Sequence, residues 1–340
     1  MNLTELERNA RAMVAPGKGI LAADESTNTI KKRFDAIKLE STADSRRRYR
    51  ELLFTAPGAA DSISGVIMYD ETIRQSSGAG EPFPALLTRL GILPGIKVDK
   101  GTQPLPGFKG ELITEGLDGL GARLAEYRQL GARFAKWRGV IDIGEGIPTL
   151  TCIAANAEAL ARYAGLCQAA DIVPIVEPEV LMDGAHTIER CAEVTDQVLQ
   201  TVFMALAAHR IYLPGMVLKP NMVISGKKCP VQAPPERVAT ETLACLKRHV
   251  PPAVPGIAFL SGGQSESDAT LHLDLLNRQP ALPWRLSFSY GRALQHTALE
   301  TWKGQPGNVA GGQREFIKRA KLNGLATAGH YEASLERQAA

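Results

Sequence analysis

A single lysine, Lys219, interrupts the apolar run from Met216 to Met222 (MVLKPNM). Pro220 holds the residue before it extended and cannot donate to a continuing ladder, so Lys219 is expected at the carboxyl end of a strand. One such lysine alone is ordinarily a solvated rim residue. Here the arrangement recurs along the chain: Asp24 ends Gly19 to Ala23, Lys97 and Asp99 share a face after Gly95, and Lys136 and Arg138 alternate with Ala135 and Trp137. Glu177 and Glu179 end another run, Ser261 follows Phe259-Leu260, and Arg292 follows Ser289-Tyr290-Gly291. A solvated rim scatters charge over loops, whereas these residues break the apolar runs themselves.

The chemistry open to such a set is nucleophilic. Desolvation and neighbouring cations make a lysine amine reactive towards carbonyls, so Lys219 is the candidate for a Schiff base to a ketone. Two carboxylates on one face, Glu177 and Glu179, repel each other, which favours a proton on one of them and a general acid and base; a salt bridge to Lys136 or Arg138 is the plainer alternative. Ser261-Gly262-Gly263, placed just before a helix start, suits a phosphate, and Arg292 adds a fork of donors. Lys32, Arg33 and Lys97 form a second basic group across the mouth. Two separated anion sites around one lysine imply a bisphosphorylated carbonyl compound.

These residues need elements that bring them together. The sequence predicts strands at 19–26, 63–68, 95–98, 132–138, 171–179, 216–222, 255–261 and 284–290, alternating with helices around 29–39, 44–53, 83–90, 117–130, 155–169, 188–205, 237–248, 265–276, 293–302 and 311–325. An amphipathic helix over 1–18 precedes them, Ser265 to Asp268 reads as a capping box, and 100–115 is a Gly-, Pro- and Thr-rich insertion that suits a lid or a surface hairpin. This alternation, without a composition break, argues for a single (β/α)8 TIM barrel domain over 1–340, with an N-terminal helix and a short C-terminal tail. A doubly wound sheet is the alternative, but no G-x-G-x-x-G follows the first strand. In a barrel the charged residues meet at one mouth.

Composition narrows the function classes. A formal charge of +3 is too small for a strong nucleic-acid binder. The five cysteines, Cys152, Cys167, Cys191, Cys229 and Cys245, form no C-x-x-C pair and suit a reducing, cytoplasmic setting. No uncharged run is long enough for a membrane span, and the charged first helix lacks the apolar core of a secretory signal. The scattered histidines have no metal-ligand spacing, so neither metal nor cofactor is expected.

Seven stretches carry a family resemblance: Gly17 to Thr27 (GKGILAADEST), Gly95 to Gly101 (GIKVDKG), Phe134 to Arg138 (FAKWR), Ile172 to Glu179 (IVPIVEPE), Leu218 to Val223 (LKPNMV), Phe259 to Ser265 (FLSGGQS) and Phe288 to Leu294 (FSYGRAL). In them, and in their order, the chain resembles the class I, Schiff-base fructose-1,6-bisphosphate aldolases. The resemblance implies that Lys219 forms an imine with the ketone of fructose 1,6-bisphosphate or dihydroxyacetone phosphate, with Glu177 as acid and base and Asp24 and Lys136 assisting. Ser261, Gly262, Gly291 and Arg292 resemble the site of the phosphate nearest the ketone, with Gly263 and Ser289 as further substrate-binding residues of the same motifs. Ser26, Thr29, Lys32, Arg33 and Lys97 resemble the distal phosphate region, with Arg138 at the mouth. A homotetramer acting on small sugar phosphates, without nucleic acid or membrane, is likewise implied. Two departures stand out. Thr27-Asn28-Thr29 replaces the Thr-Gly-Ser of many relatives, and animal relatives end in a tyrosine that assists proton exchange on the enamine, for which Tyr331, at a position not matched to it, is the nearest candidate here. Another Schiff-base lyase, of transaldolase or deoxyribose-phosphate type, and a barrel kept for binding alone are the rival readings.

Overall fold

The computed structural model describes residues 1–338. Eight parallel strands close into a barrel: β1 (Gly19–Ala23), β2 (Ile63–Met68), β3 (Leu93–Lys97), β4 (Phe134–Ile141), β5 (Val173–Val180), β6 (Val217–Leu218), β7 (Gly256–Phe259) and β8 (Arg285–Tyr290). Each pairs with its neighbours in sequence, and β8 returns to β1. The expected barrel is therefore the fold. Strand β6 is only two residues long, because Pro220 stops it as anticipated; the Lys219 N–H still donates to the Val176 carbonyl at 2.8 Å.

Alternation along the strands sorts side chains into two cores. Ala135 and Trp137 face outward, and Trp137 packs on Tyr163 of the helix Leu150–Ala169 with ring centroids 5.6 Å apart. The inward set at the amino ends of the strands contains Ile20, Phe134, Val173, Ile175, Val217 and Ala258, and the apolar stripe of helix Leu3–Met13 (Leu6, Ala10 and Met13) packs onto it from below. Asn2 starts that helix by accepting from the Glu5 N–H. Phe134 fills the barrel floor only because β2 and β3 present glycine to it: a Cβ at Gly65 would stand 2.9 Å from its ring, and one at Gly95 would overlap it. The same inward register carries 136 and 138, 177 and 179, and 219 towards the open end.

Helix boundaries moved where capping decided them. Ser26 caps Thr27–Ala36, so that helix opens two residues before the expected start and ends earlier. Ser265 caps Glu266–Asn277 by accepting from the Asp268 N–H, while the Asp268 carboxylate takes the Ser265 hydroxyl instead of closing a full box. The 100–115 insertion is a hairpin, Thr102–Pro104 against Leu112–Thr114.

Candidate active site

Every residue singled out for chemistry from the sequence, Tyr331 of the tail apart, lines one cavity of ≈ 820 Å³ at the carboxyl ends of the strands. Its floor is a row of alternating charges built by the inward register. Lys219 Nζ lies 3.1 Å from Glu177 Oε1, and Glu177 Oε2 lies 3.5 Å from Lys136 Nζ. Lys136 in turn pairs with Asp24 at 2.8 Å and lies 3.7 Å from Asp99. Lys219, Lys136 and Glu177 are each only 4% exposed, so these charges are held in place by one another instead of by water.

The electrostatics follow from that row. Burial opposes the charge on Asp24, but Lys136, Lys219 and Lys97 outweigh it and hold the carboxyl well below its ordinary range. Burial likewise pulls the Lys136 ammonium down, and Asp24, Glu177 and Asp99 together push it well above the usual lysine value. Lys136 is thus a fixed cation. Glu177 is the one carboxylate between the two lysines, within proton-transfer reach of Lys219.

The expected repulsion between Glu177 and Glu179 does not arise. Each has its own cation: Glu179 pairs with Arg138 at the mouth, and Glu177 sits between the lysines. Alternation aims both carboxylates inward, but their neighbours on β4, Arg138 and Lys136, neutralise them separately.

Two anion-attracting ends flank the row. At one, Gly262 and Gly263 take successive left-handed conformations (φ +43° and +74°) and swing Ser261 and the turn around the rim. The turn lies just before a helix start, as expected, but that helix begins at Glu266 behind its own cap, Ser265. The helix start in reach belongs instead to Arg292–Trp302, whose cap position, Gly291, supplies no side-chain hydrogen bond and leaves the first N–H groups open. The hydroxyl of Ser289, buried at the end of β8, has no partner among the described residues. At the other end, Ser26 and Thr29 face each other at 3.0 Å beside Lys32 and Arg33.

The second basic group is less free than its composition suggested. Arg33 is engaged by Glu25, which also holds the buried Arg50 at 2.7 Å, and Lys97 pairs with Asp99 at 2.7 Å. Among the described residues, Lys32 and Arg292 are the cavity-lining cations without a carboxylate partner, one near each end. Sequence reasoning did not assign Glu25, Asp183, Lys227 or His296 to the cavity, although all four line it; Lys227 lies in a Gly- and Pro-bearing loop whose path no periodicity reveals. Tyr331 lies outside the cavity lining. It is 2% exposed, its hydroxyl donates to Glu336 at 2.9 Å, and burial and that carboxylate push its phenol up to about 12.

Comparison with known proteins bears on this geometry. A family model described as fructose-bisphosphate aldolase class-I matches residues 5–340. A probable fructose-bisphosphate aldolase class 1 of Xanthomonas axonopodis pv. citri is 57% identical over 98% of this chain and 100% of its own length. Human fructose-bisphosphate aldolase C is 52% identical over 98% of this chain and 92% of its own. Among solved structures, the Plasmodium falciparum fructose-bisphosphate aldolase, determined in complex with TRAP and a small-molecule inhibitor, superposes with a TM-score of 0.96 at 50% identity, over 97% of this chain and 96% of that one.

Proposed function

The chain belongs to the class-I fructose-bisphosphate aldolase family, and from that premise we propose how its side chains divide the work. The reaction is the reversible cleavage of fructose 1,6-bisphosphate to dihydroxyacetone phosphate and glyceraldehyde 3-phosphate through a lysine Schiff base. Lys219 is the nucleophile. Its amine adds to the ketone carbon, and Glu177 takes a proton from the nitrogen and returns one to the carbinolamine hydroxyl, which leaves as water. As the bond between the third and fourth carbons breaks, the Glu177 carboxylate takes the proton of the fourth-carbon hydroxyl and the protonated imine draws in the electron pair, giving an enamine and releasing the aldehyde. Protonation of the enamine and addition of water to the imine then free dihydroxyacetone phosphate and restore the amine.

The observation that carries this assignment is the 3.1 Å approach of Glu177 to the buried Lys219 amine. Lys136, a fixed cation, steadies the second Glu177 oxygen and the Asp24 carboxylate. Ser261, Gly262, Gly263, Ser289, Gly291 and Arg292 take the phosphate next to the ketone. Ser26, Thr29, Lys32, Arg33 and Lys97 take the distal one, with Arg138 at the mouth, and the two unpaired cations at opposite ends support a bisphosphate.

Glu177→Gln tests the division of labour. The amide keeps an oxygen near Lys219 but moves no proton, so kcat is expected to fall by about 10²- to 10⁴-fold with KM little changed. Steady-state and single-turnover cleavage assays read this; a kcat within a few-fold of the parent removes Glu177 from the role. We also read residues 1–340 as one domain of a cytoplasmic homotetramer, following the family, with sedimentation equilibrium as the direct measure of assembly. No helix among the described residues is long and apolar enough to cross a membrane.

A further inference from the structure

Lys227 lies outside every motif that carries the family resemblance. Its loop is stitched to the segment after β5: the Lys227 N–H donates to the Met182 carbonyl at 2.7 Å, the Gly226 N–H to His186 and the Lys228 N–H to Gly184, each at 2.9 Å. Backbone approach here is so close that a Cβ at Gly226 would collide with the Gly184 carbonyl. Two adjoining segments therefore hold the base of the Lys227 side chain rigidly at the rim.

Its tip reaches the glycine turn. A Cβ built on Gly263 would stand 2.5 Å from Lys227 Nζ and 3.2 Å from Arg292 Nη2, so two cations flank the same backbone position. Lys227 has a partner, Asp183, at 3.0 Å, but both side chains are open to solvent, at 45% and 62% exposure. An exposed lysine–aspartate pair is weak. A phosphate dianion, with several acceptor oxygens and Arg292 beside it, is the stronger partner for that ammonium.

We infer that Lys227 is a further binding residue for the phosphate next to the ketone, exchanging Asp183 for that phosphate as substrate enters; this rests on the reading of the Ser261 to Gly263 turn and Arg292 as that phosphate's site. Asp183 then acts as a built-in competitor. The exchange makes Lys227 a determinant of affinity for every substrate carrying that phosphate, whatever stands at the far end of the sugar.

The test is steady-state kinetics of the full chain with fructose 1,6-bisphosphate and with fructose 1-phosphate, beside an Arg292→Ala control and melting curves that show each variant folded. Lys227→Met is expected to raise KM for both substrates together, by about five- to tenfold for one lost charge-assisted contact. Lys227→Arg is expected to stay near the parent, and Asp183→Asn to lower both KM values. If Arg292→Ala raises KM and Lys227→Met does not, or if Lys227→Met affects the bisphosphate alone, the assignment of Lys227 is wrong. If neither variant changes KM, the phosphate site itself is misplaced. An Asp183→Asn KM that is unchanged or raised overturns the exchange.

Discussion

Asp24 carries its charge against the resistance of burial, because three lysines face it. Its folded-state pKa lies below the unfolded value of about 3.9. Charged Asp24 therefore contributes stability at every pH above that unfolded value, and the contribution is lost as pH falls through the folded pKa. The opposite sign applies to Lys136, whose raised pKa gives a contribution complete below about 10.4 and lost only as pH rises through the folded value. Urea unfolding of the parent and of Asp24→Asn should thus differ by a constant amount between about pH 5 and 9, and by less at about pH 3. An equal difference at about pH 3 and pH 7 contradicts the assigned electrostatics. At this scale the sequence was most informative where period-2 alternation governs, since a charge inside an apolar run has one face to occupy: Lys136, Arg138, Glu177 and Lys219 all sit where that rule put them. It could not say which charge neutralises which, because pairing is decided across strands. Glu25 with Arg33 and Arg50 is the case that alternation left out, while Glu179 with Arg138 and Glu177 with Lys136 follow the plainer alternative of salt bridges.

The elements work as a closed barrel around one filled floor. Phe134 occupies the space that Gly65 and Gly95 leave open, and Gly65 has no unusual backbone angle, so its constraint is room alone. Gly65→Ala is expected to overpack the floor and destabilise the chain by about 1–3 kcal/mol. Urea midpoints measure this, and an unchanged midpoint would mean that the ring is free to move aside. Strand positions were legible because apolar runs ending at Pro220 or at Gly262-Gly263 have few other uses, and the amphipathic stripe of residues 3–13 foretold a helix though not that it packs against the barrel floor. Helix starts were less so. Ser265 caps the helix that the S-x-x-D pattern announced, but Ser26 caps a helix expected to start at Thr29, because nothing in the sequence singles out which of Ser26, Thr27 and Thr29 takes the N–H. The uncapped start at Gly291, which faces the cavity, has no such signal in the sequence.

The whole molecule brings charge from the ends of six strands to one mouth, and there composition misleads. Lys97 and Arg33 count as basic in the sequence, yet carboxylates answer both, leaving Lys32 at the distal end and Arg292 at the proximal end unpaired among the described residues. We propose that the distal end of this mouth is what distinguishes a bisphosphate from a monophosphate. Lys32→Met is expected to raise KM for fructose 1,6-bisphosphate by roughly three- to tenfold and to leave KM for fructose 1-phosphate near the parent value. An equal rise for both substrates would place Lys32 elsewhere. All of this depends on one covalent step at one buried amine. The most direct measurement is to incubate the protein with dihydroxyacetone phosphate and borohydride in the presence of EDTA, digest it, and map the adduct by mass spectrometry. A single reduced adduct on Lys219 is expected, formed as readily with the chelator as without; a folded protein that takes no label, or that takes it on Lys136 instead, rules out the Lys219 Schiff base.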